Sequence, residues 1–455
     1  SDVYKRQADD PGRDCSHSLA GATALHQARP FLQQTLATYL SIEPMNKPLS
    51  PSRALNDEIA GSYLQSATLP TQARIVLQML QRLEYGALTL KCPDGNVLHF
   101  GDDSVPVNLT LKSWETCIAV MKSGDIGFAE SFISQQWHTD DLTRLLRLFI
   151  HNRNALETAI YGSWWGSLVY RLRHLFNRNS RAGSRRNIHA HYDIGNQFYR
   201  LWLDPSMTYS SALFANPQAT LQEAQTAKYE RIYDELQVSA GSRILEIGCG
   251  WGGFAELATA RGVHLTGLTL STEQLEFAQQ RLQTAGLAER ADLKLQDYRD
   301  AGGKFDAIAS IEMFEAVGEA YWDSYFECVA ERLKTGGRAC IQTITIDDAL
   351  FDRYRTGTDF IQQYIFPGGM LPSPSVFRAH AERHGLKVVN ELAFGLDYAR
   401  TLELWHAAFL KTLPEVEAQG FDRAFVQTWR FYLSYCEAGF RAGSIDLYQF
   451  TLQKQ

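Results

Sequence analysis

The sequence predicts an α/β protein in which a mostly parallel, doubly wound sheet follows a smaller N-terminal α+β domain. Three observations support this fold class. The chain has 455 residues, 45% of them hydrophobic, which is enough to bury two cores. Beyond residue 219, apolar strands alternate with helices at the spacing of βαβ units. One of these strands runs into a glycine-rich turn, residues 248–253, that begins a helix.

Residues 1–20 are predicted to be a disordered tail, and residues 21–165 an accessory domain. The tail is polar, contains Pro11 and Gly12, and shows no hydrophobic periodicity. The accessory domain has no recognisable catalytic constellation, and we interpret it as a lipid-docking module or as an oligomerisation surface that would give a homodimer. Its predicted elements are a helix at 70–84, a hairpin at 86–100, a strand at 105–111, and helices at 114–122, 127–135 and 142–150.

A basic linker is predicted at residues 166–186. Six arginines and no acidic residue lie between residues 158 and 192, after Trp164 and Trp165. A helix with aromatic residues followed by a basic run is typical of segments that lie on an anionic bilayer. The alternative is a packing helix followed by a solvated linker, because Asn177, Ser180 and Gly183 are typical of linkers. Both interpretations stay open.

Residues 187–455 are predicted to form the larger domain with the parallel sheet. Strands separated by helices at this spacing require right-handed crossovers. The predicted helices lie at 221–236, 253–261, 272–285 and 321–333, and the predicted strands at 243–247, 264–268, 292–296, 305–311 and 338–345.

Charge, cysteines and hydropathy exclude several classes of protein. The formal net charge of -7 argues against a nucleic-acid partner. The seven cysteines form no CxxC pair, so we expect neither a metal site nor a disulfide framework, and the cytoplasm fits best. No apolar run approaches the roughly 18 to 20 residues of a spanning helix, so we expect any contact with the inner face of the membrane to be peripheral.

The turn at residues 248–253 is the sharpest local signal for a cofactor. Glycine lets a ligand approach the backbone closely, although glycine turns also simply connect strands to helices. A phosphate-binding P-loop is excluded because no Gly-Lys-Ser/Thr string follows. The next strand ends in Leu270 and Ser271 rather than in an acidic residue, which weakens a dinucleotide site. Asp297 and Tyr298 end the following strand, where an acid and an aromatic ring can hold an adenine.

Seven strings in the order of one family carry a resemblance. They are HYDIGNQFYRLWLDPSMTYSSALF (191–214), LEIGCGWGG, GLTLSTEQ, QDYR, MFEAVG, IQTITI and LDYARTLELW (396–405). In these residues the chain resembles the cyclopropane-fatty-acid synthase and mycolic-acid cyclopropane synthase family of S-adenosylmethionine-dependent methyltransferases, which have a Rossmann-like sheet. The strings span about residues 187–410.

The resemblance implies a cofactor site and a catalytic set. It assigns the S-adenosylmethionine site to eight residues: Tyr209, Ser210, Gly248, Gly250, Thr269, Gln274, Tyr298 and Arg299. It also implies a bicarbonate ion that takes up a proton, held by Glu315, Tyr398 and the backbone of Ile344. Two further catalytic positions depart from the family: Ser211 stands where cysteine is usual, and Gln342 stands where histidine is usual. A neutral amide can hydrogen-bond an anion but cannot carry the charge of an imidazole.

The implied reaction adds a methyl group to the double bond of an unsaturated phospholipid acyl chain and closes a cyclopropane. If the base takes a proton from elsewhere, the product is a methyl- or methylene-branched chain. Methylation of another hydrophobic small molecule, or lipid binding without catalysis, are the alternatives. Tyr209 and Tyr398 are the aromatic residues expected to contact the reacting groups, and His191 is a candidate for the entrance.

Two glutamates compete for the role beside the reacting carbons. Glu315 is the candidate we prefer, and its alternative role is to cap the following helix near Gly318. Glu312, three residues earlier, is expected to face solvent or the cofactor side.

Overall fold

A computed structural model describes residues 51–102, 105–160 and 194–455. The predicted tail (1–20), the basic linker (166–186) and His191 lie outside these ranges. All described residues from Ser52 onward belong to one compact unit. Within the described ranges, no helix is both long enough and apolar enough to cross a bilayer.

The N-terminal part contains five helices and four strands within the described residues. The helices are α1 (Pro51–Leu64), α2 (Thr71–Leu80), α3 (Glu115–Ile133), α4 (Leu142–His151) and α5 (Arg153–Ile160). The strands are β1 (Ala87–Lys91), β2 (Val97–Gly101), β3 (Val107–Leu111) and β4 (Trp137–His138). They form a sheet of order β2-β1-β3-β4 in which β1 pairs antiparallel with β2, confirming the predicted hairpin, and parallel with β3.

Helix α3 consists of two helical halves separated by a kink, which agrees with the prediction of two helices. Its two halves match the predicted helices at 114–122 and 127–135, and they meet at Gly124, whose φ of 59° and ψ of -129° are not helical. Glycine tolerates this backbone conformation because it has no Cβ. The second half turns back on the first so closely that a Cβ at Gly127 would lie 2.0 Å from the carbonyl oxygen of Ala119.

The C-terminal part is built on a seven-stranded sheet of order β10-β11-β9-β8-β5-β6-β7. Its strands are β5 (Arg243–Ile247), β6 (His264–Thr269), β7 (Ala291–Leu295), β8 (Phe305–Ile311), β9 (Leu333–Ile346), β10 (Leu386–Ala393) and β11 (Ile445–Lys454). Strands β5 to β9 pair parallel, as predicted, whereas β11 pairs antiparallel with both β9 and β10. The sheet is therefore mostly parallel and doubly wound.

Eleven described helices accompany this sheet. They are α6 (Asn196–Tyr199), α7 (Leu221–Leu236), α8 (Gly253–Ala260), α9 (Thr272–Thr284), α10 (Trp322–Arg332), α11 (Asp348–Arg355), α12 (Phe360–Tyr364), α13 (Pro374–Arg383), α14 (Gly395–Lys411), α15 (Leu413–Ala418) and α16 (Arg423–Arg441). Short 3₁₀ turns lie at Ala288–Arg290, Tyr298–Asp300, Phe314–Ala316 and Glu319–Tyr321. Helix α7 begins with a full capping box, in which the side chain of Thr220 accepts from Glu223 N and the Glu223 carboxylate accepts from Thr220 N.

The strand order reverses between β5 and β8, and this reversal determines where the site lies. In doubly wound sheets ligands bind outside the carboxyl ends of the strands at such a switch point. The glycine-rich turn follows β5 and Glu312 follows β8, so both stand at this point.

Helix α16 joins the N-terminal part to the sheet domain. Phe431 packs against Phe132 at a ring distance of 5.7 Å. The Tyr435 hydroxyl donates to Asp125 at 3.0 Å, and Thr143 donates to Glu437 at 3.0 Å. Buried residues of both parts belong to one hydrophobic cluster. The two parts therefore share a core.

We predict that Gly127→Ala lowers the free energy of unfolding by about 1–3 kcal/mol, because the added methyl group forces the two halves of α3 apart. Gly61→Ala is the matched control in α1, where a Cβ meets nothing within 4 Å. It should raise stability by about 0.5–1 kcal/mol through helix propensity. Urea unfolding of both variants checks the pair, and equal effects would contradict the close packing at Gly127.

Candidate active site

A cavity of about 650 Å³ opens at the switch point of the sheet. Seven of the eight residues expected to hold a cofactor line it, and these are Tyr209, Ser210, Gly248, Gly250, Thr269, Gln274 and Tyr298. Arg299 is not among the lining residues. Its guanidinium instead forms a two-pronged ion pair with Asp297, with N–O distances of 2.8 and 2.6 Å. Arg299 thus orients the loop after β7 rather than facing the cavity.

The glycine-rich turn leaves room on the cavity side. Gly248 has a φ of 85°, donates its N–H to Leu268 O at 3.0 Å, and has no space for a Cβ, which would lie 2.9 Å from Met313 Cγ. Gly250 has a φ of 50°, and a Cβ there would meet nothing within 4 Å. Since Gly250 also lines the cavity, that open space is available to a ligand.

Two buried polar atoms near the glycine-rich turn have no hydrogen-bond partner among the described residues. They are Glu246 Oε2 and the Tyr298 hydroxyl. Thr269 donates to Gln274 Oε1 at 3.0 Å, which fixes both side chains at the end of β6. Because buried polar groups without partners are costly, a bound molecule with hydroxyl, amino or charged groups fits this end of the cavity.

The carboxylate of Glu312 stands at the centre of the second group of predicted residues. Its Oε1 accepts from Ser211 N at 2.8 Å and from Gln342 Nε2 at 2.6 Å, and its Oε2 accepts from the Tyr398 hydroxyl at 2.7 Å. Glu312 lines the cavity and has a φ of 49°, in the left-handed region that non-glycine residues avoid. Of the two orientations expected for Glu312, the one facing solvent is wrong, because the carboxylate lies among these three donors in the cavity.

The two departures from the family pattern both serve Glu312. Ser211 contributes its backbone N–H, while its own hydroxyl bonds to Ala212 O at 2.9 Å. The amide of Gln342 is oriented by Gln449, whose Nε2 donates to Gln342 Oε1 at 2.9 Å. Gln449 in turn accepts from the guanidinium of Arg231. These successive hydrogen bonds orient the Gln342 amino group toward the Glu312 carboxylate.

Glu315 occupies the other side of the same cavity. Its Oε1 accepts from Ile344 N at 2.5 Å, and its buried Oε2 has no partner among the described residues. The carboxyl therefore binds β9 and does not cap the following helix. Burial, followed by the charge of Glu312, raises the pKa of Glu315 to about 8.

Burial also raises the pKa of Glu312, but Lys228 and the three hydrogen-bond donors oppose that shift. Because Ser211 N–H, Gln342 Nε2 and the Tyr398 hydroxyl all donate to Glu312, its hydrogen bonds are those of a carboxylate.

A buried lysine, Lys228, compensates this charge and was missed by sequence reasoning. Its Nζ donates to Ser210 Oγ at 2.5 Å, and burial lowers its pKa to about 7. Glu312 is the largest of the acidic influences that oppose this shift. The spacing of residues on α7 could have indicated that this lysine is buried. Ala224, Lys228 and Ile232 follow one another at helical spacing, which places the lysine in an apolar stripe.

From this centre the cavity continues into the N-terminal part as an apolar arm. The arm is lined by aliphatic and aromatic side chains of α2, α3, α4 and the small sheet, namely Val76, Leu77, Leu80, Leu90, Leu109, Phe128, Leu146 and Phe149. One face of α16 closes it with Tyr432, Cys436 and Phe440. Sequence reasoning named none of the α16 residues, although their spacing is that of one helical face.

We predict that the raised pKa of Glu315 makes the free energy of unfolding depend on pH. Its raised pKa means that between about pH 4.5 and 8 the folded state keeps a proton that the unfolded chain has released. Stability therefore falls as pH rises through this range, by up to about 1.4 kcal/mol per pKa unit. Glu315→Gln cannot ionise, so urea unfolding should show it gaining stability over the parent above pH 8 but not near pH 4.5. The exposed Glu276→Gln controls for loss of a negative charge, and an equal gain there would refute the assignment.

Comparison with known proteins shows the family of the chain. The family model described as mycolic acid cyclopropane synthetase matches residues 179–450. The chain is 36% identical over 376 residues to tuberculostearic acid methyltransferase of Mycobacterium tuberculosis, covering 81% of this chain and 88% of that protein. It is 34% identical over 354 residues to cyclopropane-fatty-acyl-phospholipid synthase of Escherichia coli, covering 77% and 89%.

A solved structure extends the similarity to three dimensions. A mycolic acid cyclopropane synthase complexed with SAH and CTAB superposes with a TM-score of 0.56 at 33% identity, covering 59% of this chain and 98% of that one. The matched family model, the two relatives and the cavity with its glycine-rich turn agree. The chain belongs to the mycolic acid cyclopropane synthetase family and is an S-adenosylmethionine-dependent methyltransferase.

Proposed function

We propose that the protein transfers the methyl carbon of S-adenosylmethionine to the double bond of an unsaturated phospholipid acyl chain and closes a cyclopropane. The observation that supports this best is one continuous cavity with a polar end and a long apolar arm, which meet at Glu312 and Glu315. A chain of methylenes with one reacting bond fits such a cavity better than a compact polar acceptor does.

The polar end has the groups that would hold the cofactor. The Gly248 to Gly250 backbone, the Thr269–Gln274 pair and the unpartnered Tyr298 hydroxyl would bind it, and Asp297 would keep the neighbouring loop in place. When bound, S-adenosylmethionine supplies an activated methyl group, which an alkene needs because it is a weak nucleophile. The mostly apolar lining of the cavity would keep water away from the reacting carbons.

The chain's own residues then manage the positive charge left on the acyl chain. The rings of Tyr398 and Phe440 pack with centroids 4.6 Å apart beside Glu312 and face the cavity. Aromatic faces stabilise a cation by about 0.5–2 kcal/mol each. The apolar arm holds the remainder of the acyl chain and fixes which double bond reaches the carboxylates.

The surroundings of the acyl chain decide which carbon loses a proton, and thereby the product. Loss of a proton from the added methyl carbon closes the ring, and loss from a neighbouring carbon gives a methyl- or methylene-branched chain. The similarity to a protein named tuberculostearic acid methyltransferase supports this second product as the alternative.

Since phospholipid chains lie in bilayers, we also propose peripheral action at the inner, cytoplasmic face of the membrane. Mass spectrometry of lipids after expression, seeking a gain of one CH₂ and its ring or branch structure, tests the proposal.

We predict that Gly250→Val abolishes cofactor binding, because the side chain would fill the open space beside the turn. Gly286→Val is the matched control, since Gly286 also has positive φ, of 70°, and nothing within 4 Å of a Cβ, but does not line the cavity. Isothermal titration with S-adenosylmethionine checks both. Unchanged affinity in a folded Gly250→Val variant would refute the placement of the cofactor.

A bulky residue in the apolar arm should shorten the acceptable acyl chain. Val76→Trp projects into the arm, so turnover of long acyl chains should fall about tenfold or more while shorter chains are spared and cofactor affinity is kept. Ile75→Trp is the control, because Ile75 is its neighbour on α2 and does not line the cavity. Equal chain-length profiles for the two variants would show that the acyl chain does not enter this arm.

A further inference from the structure

We propose that the carboxylate of Glu312 takes the place that the family resemblance assigns to bicarbonate and is itself the base that removes the proton. This inference rests on the proposed function and adds a catalytic residue to it. It also predicts that the enzyme needs no bicarbonate.

The hydrogen-bond donors expected to hold bicarbonate are already engaged. Tyr398 O–H and Ser211 N–H each have one hydrogen, and both donate it to Glu312. Ile344 N–H gives its hydrogen to Glu315, and Gln342 directs its amino group to Glu312. The residues present therefore bind a carboxylate belonging to the chain and do not fit a separate bicarbonate ion.

Electrostatics argues in the same direction. A bicarbonate beside Glu312 would place two negative charges together in a buried site, a repulsion of about 4 kcal/mol for charges 4 Å apart at an effective dielectric constant near 20. Lys228 acts on Glu312 as the opposing positive charge. Asp204 and Glu246 are the other acidic groups that act on this lysine. Lys228 thus already faces three acidic groups, which leaves it little positive charge to offset a further anion.

The left-handed backbone conformation of Glu312 also favours a functional role for this residue. A non-glycine residue at a φ of 49° costs roughly 1–2 kcal/mol relative to the right-handed region. Strain of this kind persists where the surroundings hold it in place, and it clusters at active sites. At Glu312 the strain turns the side chain from the end of β8 onto Ser211, Gln342 and Tyr398.

The proton transfer balances without any further reactant. After methyl transfer the acyl chain carries one positive charge on the carbon next to the methylated one. An oxygen of the Glu312 carboxylate takes a proton from the added methyl carbon, and the electron pair of that C–H bond forms the C–C bond that closes the ring. Glu312 becomes a neutral carboxylic acid, and it returns the proton to water when the product leaves.

The test combines substitution with chemical rescue. Glu312→Gln keeps the size and removes the base, so turnover should fall by about 10²-fold or more while affinity for S-adenosylmethionine is unchanged. Glu312→Gly removes the side chain at a φ that glycine accepts, which leaves a pocket with three free donors. Added bicarbonate should restore turnover to this variant and not to Glu312→Gln, whose side chain still fills the pocket. The exposed Glu327→Gln should behave like the parent.

The parent enzyme provides the deciding measurement. Its turnover should be the same in carbonate-free buffer and with added bicarbonate. A parent that loses activity when bicarbonate is removed, or a Glu312→Gln variant with near-parent turnover, would overturn the inference and leave the proposed function in place. A folded, cofactor-binding parent that modifies no lipid would overturn the proposed function, and this inference with it.

Discussion

The burial of one negative charge, on Glu312, is the constraint around which the site is arranged. A carboxylate removed from water needs both hydrogen bonds and an opposite charge, or it takes up a proton instead. The three donors of β9, α14 and the loop at Ser211 supply the first, and Lys228 of α7 supplies the second. Four separate parts of the chain must therefore reach the end of β8 before the charge is tolerated.

The two parts of the molecule share a core through helix α16. Helix α16 carries Tyr432 and Phe440 on the face that lines the cavity, and Phe431 on the face that packs on α3. Side chains of α2, α3, α4 and the small sheet line the apolar arm, so the N-terminal part extends the cavity beyond the sheet domain.

The sequence predicted the elements of the parallel sheet well, because β5, β6 and β8 are short apolar runs that alternate with helices. Strand β5 and strand β8 were predicted to the residue. The antiparallel strands β10 and β11 and the helices after residue 346 were not assigned, since their partners lie far away in the sequence. The residues expected to hold the cofactor were chosen from local motifs, and their role stays a prediction. Arg299 pairs with Asp297 and does not line the cavity, which nothing in the string QDYR indicates.

The role of Glu312 could not be predicted from local sequence either, because its partners also lie far away along the chain. It depends on a left-handed backbone conformation and on three donors that are 30 to 101 positions away along the chain. Periodicity and motif spacing describe neighbours, and they carry no information on which of two nearby glutamates turns inward. Lys228 was within reach of such reasoning, because its helical register alone showed it to be buried.

The row of side chains from Arg231 through Gln449 and Gln342 to Glu312 has a direction, and its two ends set it. Each amide in the row could be turned end for end with almost no change in shape. Because a guanidinium can only donate and a carboxylate can only accept, both amide oxygens point toward Arg231 and both amino groups toward Glu312. Two charged residues that never touch thus fix the orientation of the two amides that stand between them.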